Sequence, residues 1–272
     1  MKALKTFLSI ILGTIMFILL GLFTVITSVR IILSGDSVGK ILQGLTNQNQ
    51  EINIANSFDI NTITSEELDK ALDEIDNYIS RDEIYTALGD VTSQFIKYYI
   101  GAIDDIDTDE FKELIEKIAK KYEEKNGEKI DLSEINENID KAKEEIKQEV
   151  TKDKEELEKI QYLRYFFNNS IYMGIIIGFI VCGLLIVLIN KSITPLLVHL
   201  IIITVLNSIG FSIIFIAMKY IPVTADPANI IIIDSINELF TKILMVYIIT
   251  AVLLIISLTI SKKRKKEVEV NT

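Results

Sequence analysis

Apolar and charged positions are segregated along this chain rather than mixed. Residues 6–29 form 24 consecutive positions without a charge, and residues 170–190 form 21. Residues 196–218 form 23, with His199 as the single ionisable group, and residues 243–260 form 18, extended backwards by Leu239 and Phe240. At about 1.5 Å rise per residue, each run matches or nearly matches a hydrocarbon core about 30 Å thick. A helix is the expected form, because it satisfies every backbone N–H and C=O internally where no water is available. The pattern therefore predicts four transmembrane helices.

Between the first two runs the pattern changes. Ile84, Leu88, Val91 and Phe95 recur at three- and four-residue steps, as do Phe111, Leu114, Ile115, Ile118 and Tyr122. Leu68, Leu72, Ile75 and Ile79 repeat the spacing, and so do Ile135, Ile139, Ala142, Ile146 and Val150. Such stripes mark amphipathic helices that bury one face. Ser65 and Asp109 are expected N-caps, and Asn126–Gly127 an expected stop. Residues 41–64 are polar and poorly periodic and read as a connector. The last helix of the block is expected to run from about Lys152 through Tyr162, Phe166 and Phe167 straight into the second span. In the later loop, Asp226–Pro227 is the expected start of a helix that continues into the fourth span.

Charge gives the chain an orientation. Residues 1–5, 191–195 and 261–272 carry eight Lys and Arg, five of them at Lys262, Lys263, Arg264, Lys265 and Lys266. Residues 219–242 carry only Lys219 and Lys242, against Asp226, Asp234 and Glu238. The positive-inside rule then puts both termini in the cytoplasm and residues 30–169 outside the cell. The first run is too long for a cleaved h-region and lacks a small-residue cleavage pattern, so it is expected to act as a signal anchor. The run at 262–266 abuts a span, which suits contact with anionic lipid better than nucleic acid. Residues 30–169 hold 33 Asp and Glu against 18 Lys and Arg, and the whole chain carries a formal net charge of −10. That surplus argues against a nucleic-acid binder, which needs a basic face.

Candidate chemistry is sparse. In "LSGDSVGKI", residues 33–41, two glycines and a lysine suggest a phosphate loop, but Gly35 and Gly39 enclose three residues where four are needed. No nucleotide site is expected there. The glycines are expected to end the first span's helix, with Asp36 or Ser37 capping a short helix from near Val38. Asp105, Asp107 and Asp109 fall at positions 1, 3 and 5 of a calcium loop and Glu116 at position 12, which makes Ca²⁺ the one candidate cofactor. Position 6 is Glu110, where the turn calls for glycine, so an acidic helix start is the competing account. One histidine and one cysteine, both within the apolar runs, leave no external Ser-His-Asp or Cys-His set and no two-histidine zinc motif. In the second span Gly174, Gly178 and Cys182 repeat every four residues, a small-residue seam for another helix of this chain or of another membrane protein. Asn207, mid-way along the third span, is expected to hydrogen-bond within a helix contact.

The expectation is an all-α, four-pass transmembrane helical protein with an extracellular acidic α-helical bundle inserted between spans 1 and 2. Its composition suggests a bacterium, its place is the plasma membrane, and its partners are the lipid bilayer and a second membrane protein or itself. A non-enzymatic role in binding, sensing or scaffolding, as an accessory subunit of an envelope complex, fits best. The alternative is a permease subunit or an oligomeric channel with Asn207 at the pore. One span, a large external block and three further spans resemble, in order alone, the ABC permeases of the cell-division and macrolide-exporter type. Only "KSITP" joins the second and third spans, too short for a helix that couples to an ATPase.

Overall fold

The computed structural model describes residues 2–47, 73–152, 160–219 and 227–270, and no strand occurs among them. In chain order the helices are α1 (Lys2–Ile32), α2 (Gly35–Asn47), α3 (Arg81–Tyr99), α4 (Asp109–Asn126) and α5 (Ser133–Lys152). A 3-10 helix (Gln161–Phe167) follows, then α6 (Asn169–Asn190), α7 (Thr194–Lys219) and α8 (Pro227–Val270). Four stretches are long and apolar enough to cross a membrane: Ala3–Ile32, Asn169–Asn190, Thr194–Ala217 and Ile236–Lys263. By contacts the chain forms two units, one of residues 1–29, 168–222 and 236–272, the other of residues 30–167 and 223–235.

In the first unit, α1 meets each of the other three helices through one narrow face. Ser9, Met16, Thr24 and Ser28 on that face are all less than a tenth exposed. Met16 packs with Cys182 and Ile186 of α6 and with Ile203 of α7, flanked by Leu12 and Leu20. Leu20 also touches the cluster of Phe211 from α7 with Phe240 and Tyr247 from α8. Polar groups on α1 find partners rather than lipid. Asn190 donates to Ser9 Oγ at 2.8 Å, and the Thr24 and Tyr247 hydroxyls lie 2.5 Å apart. Phe23 stacks on Tyr172 with ring centroids 5.2 Å apart. The large side chains turned away from this core, such as Leu188 at 70% and Val246 at 63%, are the lipid-facing surface such helices need.

The second unit has its own core: Ile79, Ile84, Tyr85, Ala87 and Leu114, with Leu42, Leu88, Phe111 and Ile118 against it. Ile84, Leu88, Phe111, Leu114 and Ile118 are members of the stripes on α3 and α4, whereas Tyr85, Ala87 and Leu42 are not in them and Ile79 belongs to the preceding one. Ser80 caps α3, its Oγ accepting from Glu83 N–H. α4 stops at Gly127, whose φ of 74° is a left-handed conformation that glycine takes without strain. Thr108, not Asp109, is the residue before α4; Asp109 is its first residue, and Asp107 Oδ1 accepts the Asp109 N–H at 2.9 Å. Ion pairs hold α5 to the preceding loop and helix: Lys143 and Lys147 to Asp105, and Lys112 to Asp140. The expected cap Ser65 and stripe residues Leu68 and Leu72 lie outside the described residues.

Three expectations need correction. Gly35 and Gly39 do not end a helix; they lie inside α2, which begins at Gly35 with Val38 N–H bonded to Ser34 C=O. Of the connector read over 41–64, residues 41–47 are helical, because Leu42 has a core to enter, and the rest lies outside the described residues. Nor does one helix run from Lys152 into the second span. Residues 153–159 lie outside the described ones, but Gln161–Phe167 is a 3-10 helix and a break falls at Asn168, whose Oδ1 accepts from Ser170 N–H and Ile171 N–H. An asparagine that caps a new helix is a stronger local signal than the apolar residues on either side of it.

The α2–α3 crossing is the tightest point of the second unit. A Cβ on Gly89 would fall 2.2 Å from Gly35 O and 2.4 Å from Gly39 N, while one on Gly174 of α6 would meet nothing within 4 Å. Gly89→Ala is therefore expected to force the two backbones apart and cost about 3 kcal/mol, a fall of roughly 6–12 °C in Tm. Gly174→Ala is expected to leave Tm unchanged or raise it. Thermal melts of the purified full chain, read by helical circular dichroism, check both.

Candidate functional site

The densest chemistry in the second unit lies between α3 and α4, in an open groove of about 410 Å³. Asp82, Glu83 and Asp90 line it from α3, and Glu110, Glu113 and Lys117 from α4. Helical spacing places these groups: residues 83, 86, 87 and 90 share one face of α3, and residues 110, 113, 114 and 117 share the opposing face of α4. At one end Lys117 pairs with Glu83 and lowers the carboxyl's pKa. At the other end Asp90 and Glu110 line the groove together, with no lysine or arginine beside them among the described lining residues. Glu110's pKa is raised, first by its hydrogen bond to Asp90 and then by the negative charge of Asp90. Two bare carboxylates repel, which favours the protonated form of Glu110. Asp90 also sits against α2, its Oδ1 in the space a Gly35 side chain would fill.

The four carboxylates of the expected calcium loop take other positions. Asp105 is held by Lys147 and Lys143 at 2.5 and 2.9 Å, which push its pKa well below the usual carboxylate range. Asp107 is spent on the Asp109 N–H. Glu116 is exposed on α4, and seven residues of helix separate it from Asp109, about 10 Å along the axis. Ile106, fully buried between Asp105 and Asp107, turns the loop inward at the point where a calcium loop wraps an ion. Among the described residues no group of three or more His, Cys, Asp or Glu side chains is placed to hold a metal ion.

The membrane-side candidates divide. Gly174 faces open space, whereas a Cβ on Gly178 would meet Leu19 of α1 at 3.3 Å. Cys182 is 8% exposed, a free thiol inside the Met16 cluster. Asn207 is 6% exposed; its Nδ2 donates to Ile203 O in its own helix, and its Oδ1 lies 3.3 Å from where a Gly21 Cβ would be. Lys262 and Lys263 are exposed on α8, and the side chains from Arg264 to Lys266 lie outside the described ones. Sequence reasoning missed the inward face of α1. The spacing Ser9, Gly13, Met16, Leu20, Thr24, Ser28 was the available signal, since small and hydroxyl residues at three- and four-residue steps mark a helix contact in a bilayer. It also missed the Asp90–Glu110 pair, which adjoins in space groups twenty residues apart.

These features define a class: an all-helical, multi-pass membrane protein whose first span is followed by a separately cored helical unit. No protein-family model matches the chain, and no curated protein or solved structure matches it.

Two carboxyls in this unit titrate with opposite sign. Asp105 has a depressed folded-state pKa, so its contribution is present above the unfolded value near 4 and is lost as pH falls below it. Glu110 has a raised one, so the folded state keeps its proton longer, and stability falls as pH rises through that value. Melts of the full chain between pH 3 and 8 are expected to show both limbs. Asp105→Asn should flatten the acid limb, and Glu110→Gln should raise Tm at pH 7 and flatten the upper one.

Proposed function

We propose that this chain is a four-pass protein of a bacterial plasma membrane whose residues 30–169 form an extracellular acidic bundle for binding, sensing or scaffolding. It acts without catalysis, as an accessory subunit of an envelope complex. The observation that carries this reading is the separate core of the second unit around Ile79, Ile84, Tyr85 and Leu114. A 140-residue insertion that built no core of its own would be a tether; one with a core presents a defined surface. The surface is acidic, with Asp and Glu nearly twice as numerous as Lys and Arg over 30–169, which favours a partner with a basic face. The basic flanks at both termini support the external placement, and the run at 262–266 suits anionic lipid on the cytoplasmic side. Asn207, bonded to its own helix beside Gly21, supports a packing role in preference to a pore.

Two measurements test the reading. In a Cys182→Ser background, single cysteines replace Lys129 or Lys263, both exposed. A membrane-impermeant maleimide is expected to label the first and spare the second in intact cells; the reverse pattern would invert the orientation. An impermeant lysine cross-linker on intact cells is then expected to give a discrete adduct that Gly89→Ala weakens. Recovery of the uncross-linked chain alone would overturn the binding role.

A further inference from the structure

We propose that the 3-10 helix Gln161–Phe167 is a membrane-surface anchor, its tyrosines seated among phospholipid headgroups and Arg164 on a lipid phosphate. The segment is pinned to the ends of two spans. It joins α6 through the single residue Asn168. Arg30, in the last turn of α1, donates from Nε to Phe166 O at 2.7 Å. α6 has 22 residues, about 33 Å of helix, which leaves little beyond a 30 Å hydrocarbon core and puts Asn169 at its edge. A 3-10 helix rises about 2 Å per residue and the extended steps through Asn168 about 3.3 Å each, so Tyr165 lies within about 11 Å of that edge and Tyr162 within about 17 Å, whatever direction the segment takes. The headgroup layer on each side is about 5–7 Å thick. Chain length therefore keeps Tyr165 near that layer, and its exposed side chain supplies the rest of the reach.

The side chains suit the place. Tyr162 is 60% exposed and Tyr165 51%, large rings left outside the protein core. A tyrosine has an apolar body and a polar tip, the combination that settles at a membrane–water boundary. The chain has no tryptophan, so tyrosine and phenylalanine must supply its interfacial aromatics. Arg164 sits over the Tyr165 ring, 5.2 Å from its centroid, with Nη2 3.5 Å from the Tyr165 hydroxyl. Stacked on a ring at the surface, its guanidinium keeps donors free for a phosphate, which it matches in geometry. Anchorage also explains the break at Asn168: a segment lying in the headgroup layer must leave the axis of α6. This inference depends on the spans alone and stands independently of which side faces outward or what the second unit binds.

Because tryptophan is absent, Tyr165→Trp and Tyr162→Trp each give a single-tryptophan protein. The full chain is reconstituted in phosphatidylcholine vesicles carrying lipids brominated near the headgroup or deep in the acyl chains. Shallow bromines are expected to quench each tryptophan at least about twofold more than deep ones, as for interfacial aromatics. Met245→Trp, lipid-exposed within the fourth span, is the control with the opposite order. Adding Arg164→Gln should raise acrylamide quenching at position 165. Replacing phosphatidylcholine by phosphatidylglycerol should leave the depth unchanged, since both carry the phosphate. An unquenched tryptophan at both 162 and 165, with the control intact, would overturn the anchor; quenching confined to phosphatidylglycerol would overturn the phosphate contact.

Discussion

The membrane unit depends on the narrow inward face of α1. In a bilayer the surroundings are as apolar as the side chains, so no hydrophobic effect gathers the helices; close packing and buried polar pairs must do so. α1 supplies both. Gly13 admits the His199 ring, where a Cβ would lie 2.7 Å from Nδ1, and Gly21 admits the Asn207 amide. Met16 fills the space between α6 and α7, and Thr24 bonds Tyr247 of α8. α8 is the helix least covered by the rest of the chain, with 6% of its span buried against 22% for each of the others. Its attachment rests largely on the Tyr247 hydroxyl and the rings of Phe240, Phe211 and Phe215.

The second unit uses the same device in a different setting. Gly35 and Gly39, four residues apart on α2, present bare backbone to Gly89 on α3, and the helices approach until main-chain atoms touch. Around that contact the pairs run antiparallel: Leu33 opposite Ser93, Gly39 opposite Tyr85, Gln43 opposite Asp82. The glycines of "LSGDSVGKI" thus serve neither a phosphate nor a turn. Their absent side chains let α2 lie on α3, and Asp90 takes up the space beside Gly35 before reaching Glu110 of α4.

The spans were legible because their signal is long and one-dimensional: twenty apolar residues in a row mean much the same in any tertiary context. The stripes on α3 and α4 were legible too, since a half-buried helix writes its period into the sequence. What could not be read depended on which helix meets which. Gly35 and Gly39 look alike as helix breakers or as a crossing until Gly89 is seen opposite. Asp105, Asp107, Asp109 and Glu116 have the spacing of a loop, and only the start of α4 at Asp109 shows that Glu116 is carried along a helix away from the aspartates. The lysines that take Asp105 come from α5, about forty residues away, with no local trace of the pairing.

The break at Asn168 separates the 3-10 helix from α6, where a continuous helix would carry one hydrogen-bond ladder through. At Asn168, with ψ at 111°, that ladder is interrupted, and two side-chain bonds to the new helix's first N–H groups replace it. The turn between α1 and α2 is short and hydrogen-bonded. α1 and α2 are separated only by Leu33 and Ser34, and the turn is fixed by Ser34 N–H to Ile31 C=O. Ser93, 1% exposed, donates to the Leu33 carbonyl at 2.6 Å and ties that turn to α3. Ser34 and Ser93 thus fix the path of the chain between α1 and α2 from two sides.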